Sequence, residues 1–197
     1  MALITMPSSP AFSRSEFGIR RAVAVSQSPF TGQQQVQAYP MAQWYGTFSL
    51  PPMLKDQARA WVNFFLLCEG RKNTFLLGDP DLPEINGTTT SVAVAADKAA
   101  GVNVVNLTLG TGKTLNLGSY IQFGTGADSK LHMVVDNNTG NGNVTIQPPL
   151  KTAISAGVTT VTISNPKGLF RMDSNDMSWS ADHLSRFGVT FSCSEAI

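Results

Sequence analysis

The hydrophobic pattern of this chain changes character three times. Near the N-terminus, runs at 21–27 (RAVAVSQ), 33–39 (QQQVQAY) and 43–50 (QWYGTFSL) read as β-strands. The first alternates poorly, whereas the third is aromatic and β-branched like a well-buried strand. Ser28-Pro29-Phe30-Thr31-Gly32 separates the first two as a turn. The period then becomes helical. Leu54, Ala58, Trp61, Val62, Phe65 and Cys68 recur on one side, and Lys55, Asp56, Arg59 and Asn63 share the other. Pro51-Pro52 precedes this stretch, where a missing N–H costs nothing, and Gly70 is placed to end it in a left-handed conformation. The pattern predicts one helix near 54–69, then a strand at 73–77 ended by Gly78-Asp79-Pro80-Asp81-Leu82-Pro83.

From 85 to about 167 the pattern is one of short strands divided by polar turns: 91–95, 102–109, 119–123, 130–135, 143–147 and 158–164. The dividers, such as GTGKT and DNNTGNGN, are rich in Gly and Asn, the composition of a small barrel or sandwich. After 167 the character of the N-terminal part returns with 168–172, a polar turn carrying Trp179, and a last run in which Phe187, Val189, Phe191 and Cys193 share one face. The expected fold is mainly β. A split, β-sandwich-like domain with one packed α-helix, 1–85 plus 168–197, is interrupted by a small all-β, barrel-like module at 86–167.

Composition narrows the function. Size scaling gives a chain of 197 residues about 70% burial of its extended surface, ample for a core. Fourteen Lys and Arg against thirteen Asp and Glu leave a net charge of +1, which removes the electrostatic case for a nucleic-acid or anionic-membrane partner. Only 14% of residues are charged, and Gly, Asn, Thr, Ser and Gln take their place. A neutral polar surface of this kind suits a subunit that pairs extensively with others. No apolar run approaches the roughly 18 residues of a membrane span. The first twenty residues lack the apolar core of a secretory signal and are expected to form a flexible terminus. With no export expected, the sequons at Asn86, Asn106, Asn137 and Asn143 reflect an Asn/Thr-rich stretch, and both thiols stay reduced.

Catalytic material is sparse. Gly112-Lys113-Thr114 lacks the glycine of a phosphate loop five residues earlier, where Leu107 stands, and no helix is expected after it. Asp136 to Gly142 resembles a calcium loop, but Gly140 and Gln147 occupy ligand positions, so a hairpin tip is expected. His132 and His183 have no clustered Cys or Glu, and Cys68 and Cys193 read as buried core thiols. Asp79, Asp81, Asp173 and Asp176 lie in expected turns. The reading is of a protein that is not an enzyme and uses no cofactor or metal. The aromatics concentrate in the strand–helix–strand stretch, mostly as core. Phe64 lies off the helical stripe and Tyr45 opposite Trp44, which makes these two the candidates for a subunit interface.

The order QWYGTFSLPPM, then KDQARAWVNFFLLCEGRKN, then TFLLGDP resembles the distal tail proteins and related minor tail proteins of long-tailed bacteriophages. AVAVSQSPFTGQQQVQAYP and FGVTFSCSEAI are similar to that family's opening and closing segments, so the resemblance covers about 17–83 and 168–197. It implies a structural virion protein at the tail tip, assembled in the host cytoplasm. Such a protein forms a ring, usually a hexamer, that continues the DNA channel between the tail-tube protein and the tip hub with its minor tail proteins. It carries over no site residue, since such a role is assembly through extended surfaces; the charge and the lack of a long apolar run add the expectation of no sequence-specific nucleic-acid contact and no membrane span. Residues 86–167 depart from the family's minimal form. Two other functions stay open at this level. One is carbohydrate or host-surface binding through that module, with Tyr120 and Phe123 its only stacking rings; the other is a hydrolase using the four aspartates.

Overall fold

The structure, a computed structural model, describes residues 1–81, 87–182 and 186–197. Among these residues it is mainly β, 44% strand and 9% helical, with one α-helix and a nearly closed, barrel-like sheet. Its longer strands fall into two six-stranded sheets. The first has the order β1–β4–β13–β16–β3–β2. Its strands are β1 (Leu3–Ile4), β2 (Arg14–Gln27), β3 (Gln34–Ser49), β4 (Thr74–Leu77), β13 (Gly168–Met172) and β16 (Thr190–Glu195). All neighbours are antiparallel except β1 on β4. The second has the order β12–β8–β9–β11–β6–β5. It comprises β5 (Ala93–Val94), β6 (Val104–Thr108), β8 (Tyr120–Phe123), β9 (Lys130–Val134), β11 (Gly142–Gln147) and β12 (Val161–Thr162). Short pairs β7 (Thr114–Leu115) with β10 (Asn138–Thr139), and β14 (Ser180–Ala181) with β15 (Phe187–Gly188), complete the strands.

The first sheet has one dry and one wet face, as alternation in an antiparallel sheet dictates. Phe17, Ile19, Trp44, Phe48, Phe75, Phe170, Phe191 and Cys193 lie in or against its core. Thr47, Ser49, Thr190 and Ser192 point the other way and pair across strands, with Thr47 Oγ1 3.0 Å from Ser192 Oγ and Ser49 Oγ 3.0 Å from Thr190 Oγ1. Helix α1 (Lys55–Cys68) covers part of the dry face. Phe191 is the meeting point, with ring centroids 5.3 Å from Phe65, 5.5 Å from Phe48 and 6.2 Å from Trp61.

The helix is rotated from its expected stripe. Ala58, Trp61, Phe64, Phe65 and Cys68 are buried, while Leu54 is exposed and Val62 sits at the rim. Phe64 is therefore corrected from a candidate interface residue to a core residue. β4 forms a second wall beside the helix, and Phe75 meets Phe64 edge-on at 5.2 Å. The helix ends on Glu69 and Gly70, both left-handed, with φ of 48° and 62°.

The second sheet curls around its own core of Val105, Leu107, Ile121, Val134, Val144 and Ile146, among others. One outer patch of that sheet closes the rest of the first sheet's dry face. Four consecutive residues of β8 are buried because alternate side chains serve different cores. Ile121 and Phe123 point into the curled sheet, whereas Tyr120, with Leu131 of β9, joins the first core. Polar ties reinforce the seam: Trp44 Nε1 donates to Leu131 O at 2.8 Å, and the buried Lys151 ammonium pairs with the buried Glu195 carboxylate. Glu195 Oε2 also accepts the Trp44 N–H at 3.1 Å.

Three further expectations change. Leu3–Ile4 pairs with β4 and β2 begins at Arg14, so the first twenty residues are not simply a loose terminus. Runs 33–39 and 43–50 are one strand, since Pro40 falls in a bulge that asks for no ladder donor. The last run splits into β15 and β16 at Val189. Truncating Phe191 to Ala removes the ring that helix and sheet share. It should lower unfolding stability by about 3–5 kcal/mol, read by denaturant titration.

Candidate interaction surface

Beyond the body, β2 and β3 continue as a two-stranded arm. Of residues 22–41, all but Ala22 and Ser28 are exposed. The register runs Val23↔Ala38, Val25↔Val36 and Gln27↔Gln34 after a shift at Arg21–Val23, so Ala22 stands opposite Tyr39, Pro40 and Met41. Strand alternation then puts Val23, Val25, Val36 and Ala38 on one face of the ribbon, and Ala24, Ser26, Gln35 and Gln37 on the other. The apolar face continues the side on which Ile19 and Trp44 enter the core. Among the described residues nothing lies over it, and Val23, Val25 and Val36 are exposed.

The arm's tip is built rather than loose. Ser28 donates its N–H to Gln33 O and accepts that of Gly32 at its own carbonyl, both at 2.9 Å. Its hydroxyl also accepts the N–H groups of Phe30 and Thr31. Gly32 takes φ +70°, which an L side chain rarely adopts. Phe30 stands at the apex, 95% exposed.

Neither edge of the arm is defended. Among the described residues β2 pairs only with β3, and β3 meets β16 only from Tyr45 onward, with Trp44 N–H taken by the Glu195 carboxylate, so the outer edge of β2 and the 34–43 edge of β3 carry free backbone groups. Isolated edges of this kind are ordinarily blunted by charge. No Asp, Glu, Lys, Arg or His occurs between Arg21 and Lys55.

Tyr45 lies at the base of the arm on the wet face, 37% exposed. Its ring crosses Gly18, where a Cβ would sit 2.9 Å from it, and the Arg20 guanidinium lies 5.2 Å from its centroid. Part of the ring is thus used within the chain, and its remaining face is open. Tyr39 and Met41, in the bulge beyond it, are exposed as well. Sequence reading misses this pair, although the absence of charge from 22 to 54 is visible in it.

A second apolar feature lies on the outer side of α1. Val62 and Leu66 form one wall of a groove of about 340 Å3, Trp179 and Phe187 the other, and Lys55 and Arg59 stand at its rim. Met53 holds Phe187 in place through a backbone bridge with N···O distances of 2.9 and 3.0 Å. Leu66 is 63% and Trp179 43% exposed.

The chemical candidates disperse. His132 is buried, its Nδ1 2.8 Å from Pro148 O, and burial lowers its pKa to about 4. His183 lies outside the described residues. Among the described residues no three His, Cys, Asp or Glu side chains gather as metal ligands. Burial raises the Cys68 thiol to about 11 and the Cys193 thiol well above its usual value. Asp79 Oδ2 accepts the Tyr120 hydroxyl at 3.0 Å, Asp81 accepts that of Ser15 at 2.8 Å, and Asp173 and Asp176 are exposed. Gly110 and Gly112 have positive φ in a turn that leads into strand β7. Asp136 to Gly142 holds β10 within the β9–β11 connection. Tyr120 and Phe123 are buried and offer no stacking platform to a sugar. The chain matches no protein-family model and no curated protein.

These placements set two expected outcomes. Val25→Thr with Val36→Thr should leave the monomer's unfolding free energy within about 0.5 kcal/mol, because neither valine is covered. His132 is neutral when folded and takes up a proton on unfolding below about pH 6.5. Stability should therefore fall as pH drops from 6.5 toward 4, by roughly 3 kcal/mol in all, and level off below. A His132→Gln variant, followed by denaturant titration across that range, should lose this slope.

Proposed function

We propose that this chain is a structural subunit of a long-tailed bacteriophage's tail tip, forming a ring that joins the tail tube to the hub and continues the DNA channel. The observation that carries the reading is the arm: an ordered, uncharged ribbon with two open edges and an apolar face, projecting from a stable body. A two-stranded ribbon is at best marginal alone in water, so such an element is suited to a place against a neighbour. The resemblance over 17–83 and 168–197 coincides with the first sheet and its helix, the part that bears the arm. A net charge of +1 suits a conduit that must pass DNA without holding its phosphates. On this reading the partners are further copies of the chain, the tube protein, the hub and other minor tail proteins. Residues 86–167 would face neighbouring tip proteins or the host surface, and the work is assembly rather than catalysis.

Light scattering on the purified protein should give a mass near six times the 21.1 kDa of one chain. Negative-stain images of that species should show closed rings. A single 21.1 kDa species at every concentration, with no association with tube or hub proteins, would overturn the reading.

A further inference from the structure

Resting on that ring reading, we propose that the Phe30-tipped arm of one copy docks in the groove between α1 and Trp179 of the next. The observations converge on a second copy as occupant. Phe30 is a large apolar side chain held out in water by a hydrogen-bonded turn, so its position is prepared before any partner arrives. The groove is apolar along Val62, Leu66 and Trp179 and open to solvent. Both features belong to the same chain, yet the arm cannot serve its own groove. From Val23 to Gln27 the ribbon extends about 14 Å past the bulge at about 3.4 Å per residue, with the Phe30 turn beyond it, and its ladder with β3 holds it extended away from the body.

Size and charge agree. The groove, about 340 Å3 and lined by eight residues, is of a size to take the single ring at the arm's tip rather than the ribbon behind it. Lys55 and Arg59 at the groove rim would be penalised by a cationic visitor, and the arm beyond Arg21 has no charge. Its glutamines offer neutral hydrogen bonds to such a rim.

A projection on one surface and a matching groove on another make a head-to-tail contact, which closes into a ring or runs on as a filament according to its rotation. Edge-to-edge pairing of two β2 strands would instead give a symmetric dimer and leave both Phe30 and the groove in water.

The test uses the full chain with Phe30→Cys and Leu66→Cys made separately. Cys68 and Cys193 are buried and should stay silent. Under mild oxidation, a mixture of the two variants should give a cross-linked species of twice 21.1 kDa, at least tenfold more than either alone. Phe30→Ser and Leu66→Lys should each return assembled protein to the 21.1 kDa species with the wild-type circular dichroism spectrum and cooperative unfolding retained, the melting temperature falling only by what assembly adds. Both positions are exposed, and a cation in the last helical turn suits the helix dipole. If rings persist in both variants and the mixture does not cross-link, the arm–groove contact is wrong and the ring reading stands. Phe30→Cys cross-linking to itself alone would indicate symmetric arm pairing and overturn the contact. Wild-type protein that remains 21.1 kDa throughout would overturn contact and ring together.

Discussion

The first sheet depends on its last strand. β16 lies between β13 and β3, so the N-terminal hairpin joins the rest of the sheet only through the final residues of the chain. Phe191 and Cys193 of β16 fill the centre of the helix–sheet core, and Glu195 carries the tie to Lys151. That tie is buried on both sides, and burial alone would push the Lys151 ammonium toward neutrality; the carboxylate opposes that push. Buried pairs of this kind are poor evidence of net stability but fix geometry, because either partner left alone would be a desolvated charge. Here the geometry fixed is the seat of the β11–β12 connection, which carries Lys151, against the end of β16. The arm inherits its direction from β3, and β3 is anchored by β16.

The arm inverts the usual treatment of an edge strand. Proteins that must stay apart place lysine or inward-facing charge on such edges, at small cost in stability. This chain places its few charges elsewhere, on the wet face of the first sheet, around α1 and through the 86–167 stretch. It leaves its longest ribbon neutral. The same choice that would promote aggregation in a free-standing enzyme suits a subunit whose neighbours are identical and present at high local concentration.

Much of the architecture is legible in the sequence. The helix, its proline entry and its glycine exit follow from local rules that tertiary packing does not overrule. All six expected strands of the 86–167 stretch occur, because their Gly/Asn turns punctuate them clearly. Pattern misleads where one residue serves two purposes. Pro40 reads as a strand break, yet in a bulged, two-stranded arm its missing N–H disturbs no inner ladder. Phe64 reads as off-stripe because periodicity assumes one covering surface, and α1 has two. Tyr120 reads as a surface ring of the module, whereas β8 is buried from both sides. The groove is not legible at all: it needs Trp179 and Phe187 brought beside Leu66, a contact more than a hundred residues apart in sequence.

β4 and β13, between which the 86–167 stretch is inserted, are paired neighbours, Leu77 opposite Gly168. By connectivity alone the stretch resembles an exchangeable cassette, hung from the two ends of a hairpin. Its packing denies that freedom. Tyr120, Leu131 and Lys151 complete the host sheet's core, so excision would uncover Trp44, Phe17 and Phe170 and leave Glu195 a stranded anion. Variation in this lineage should therefore be confined to the cassette's far turns, with the inward patch of β8 and β9 held constant by the sheet it covers. A graft that ignored that patch would fail as a fold before its binding properties could be judged.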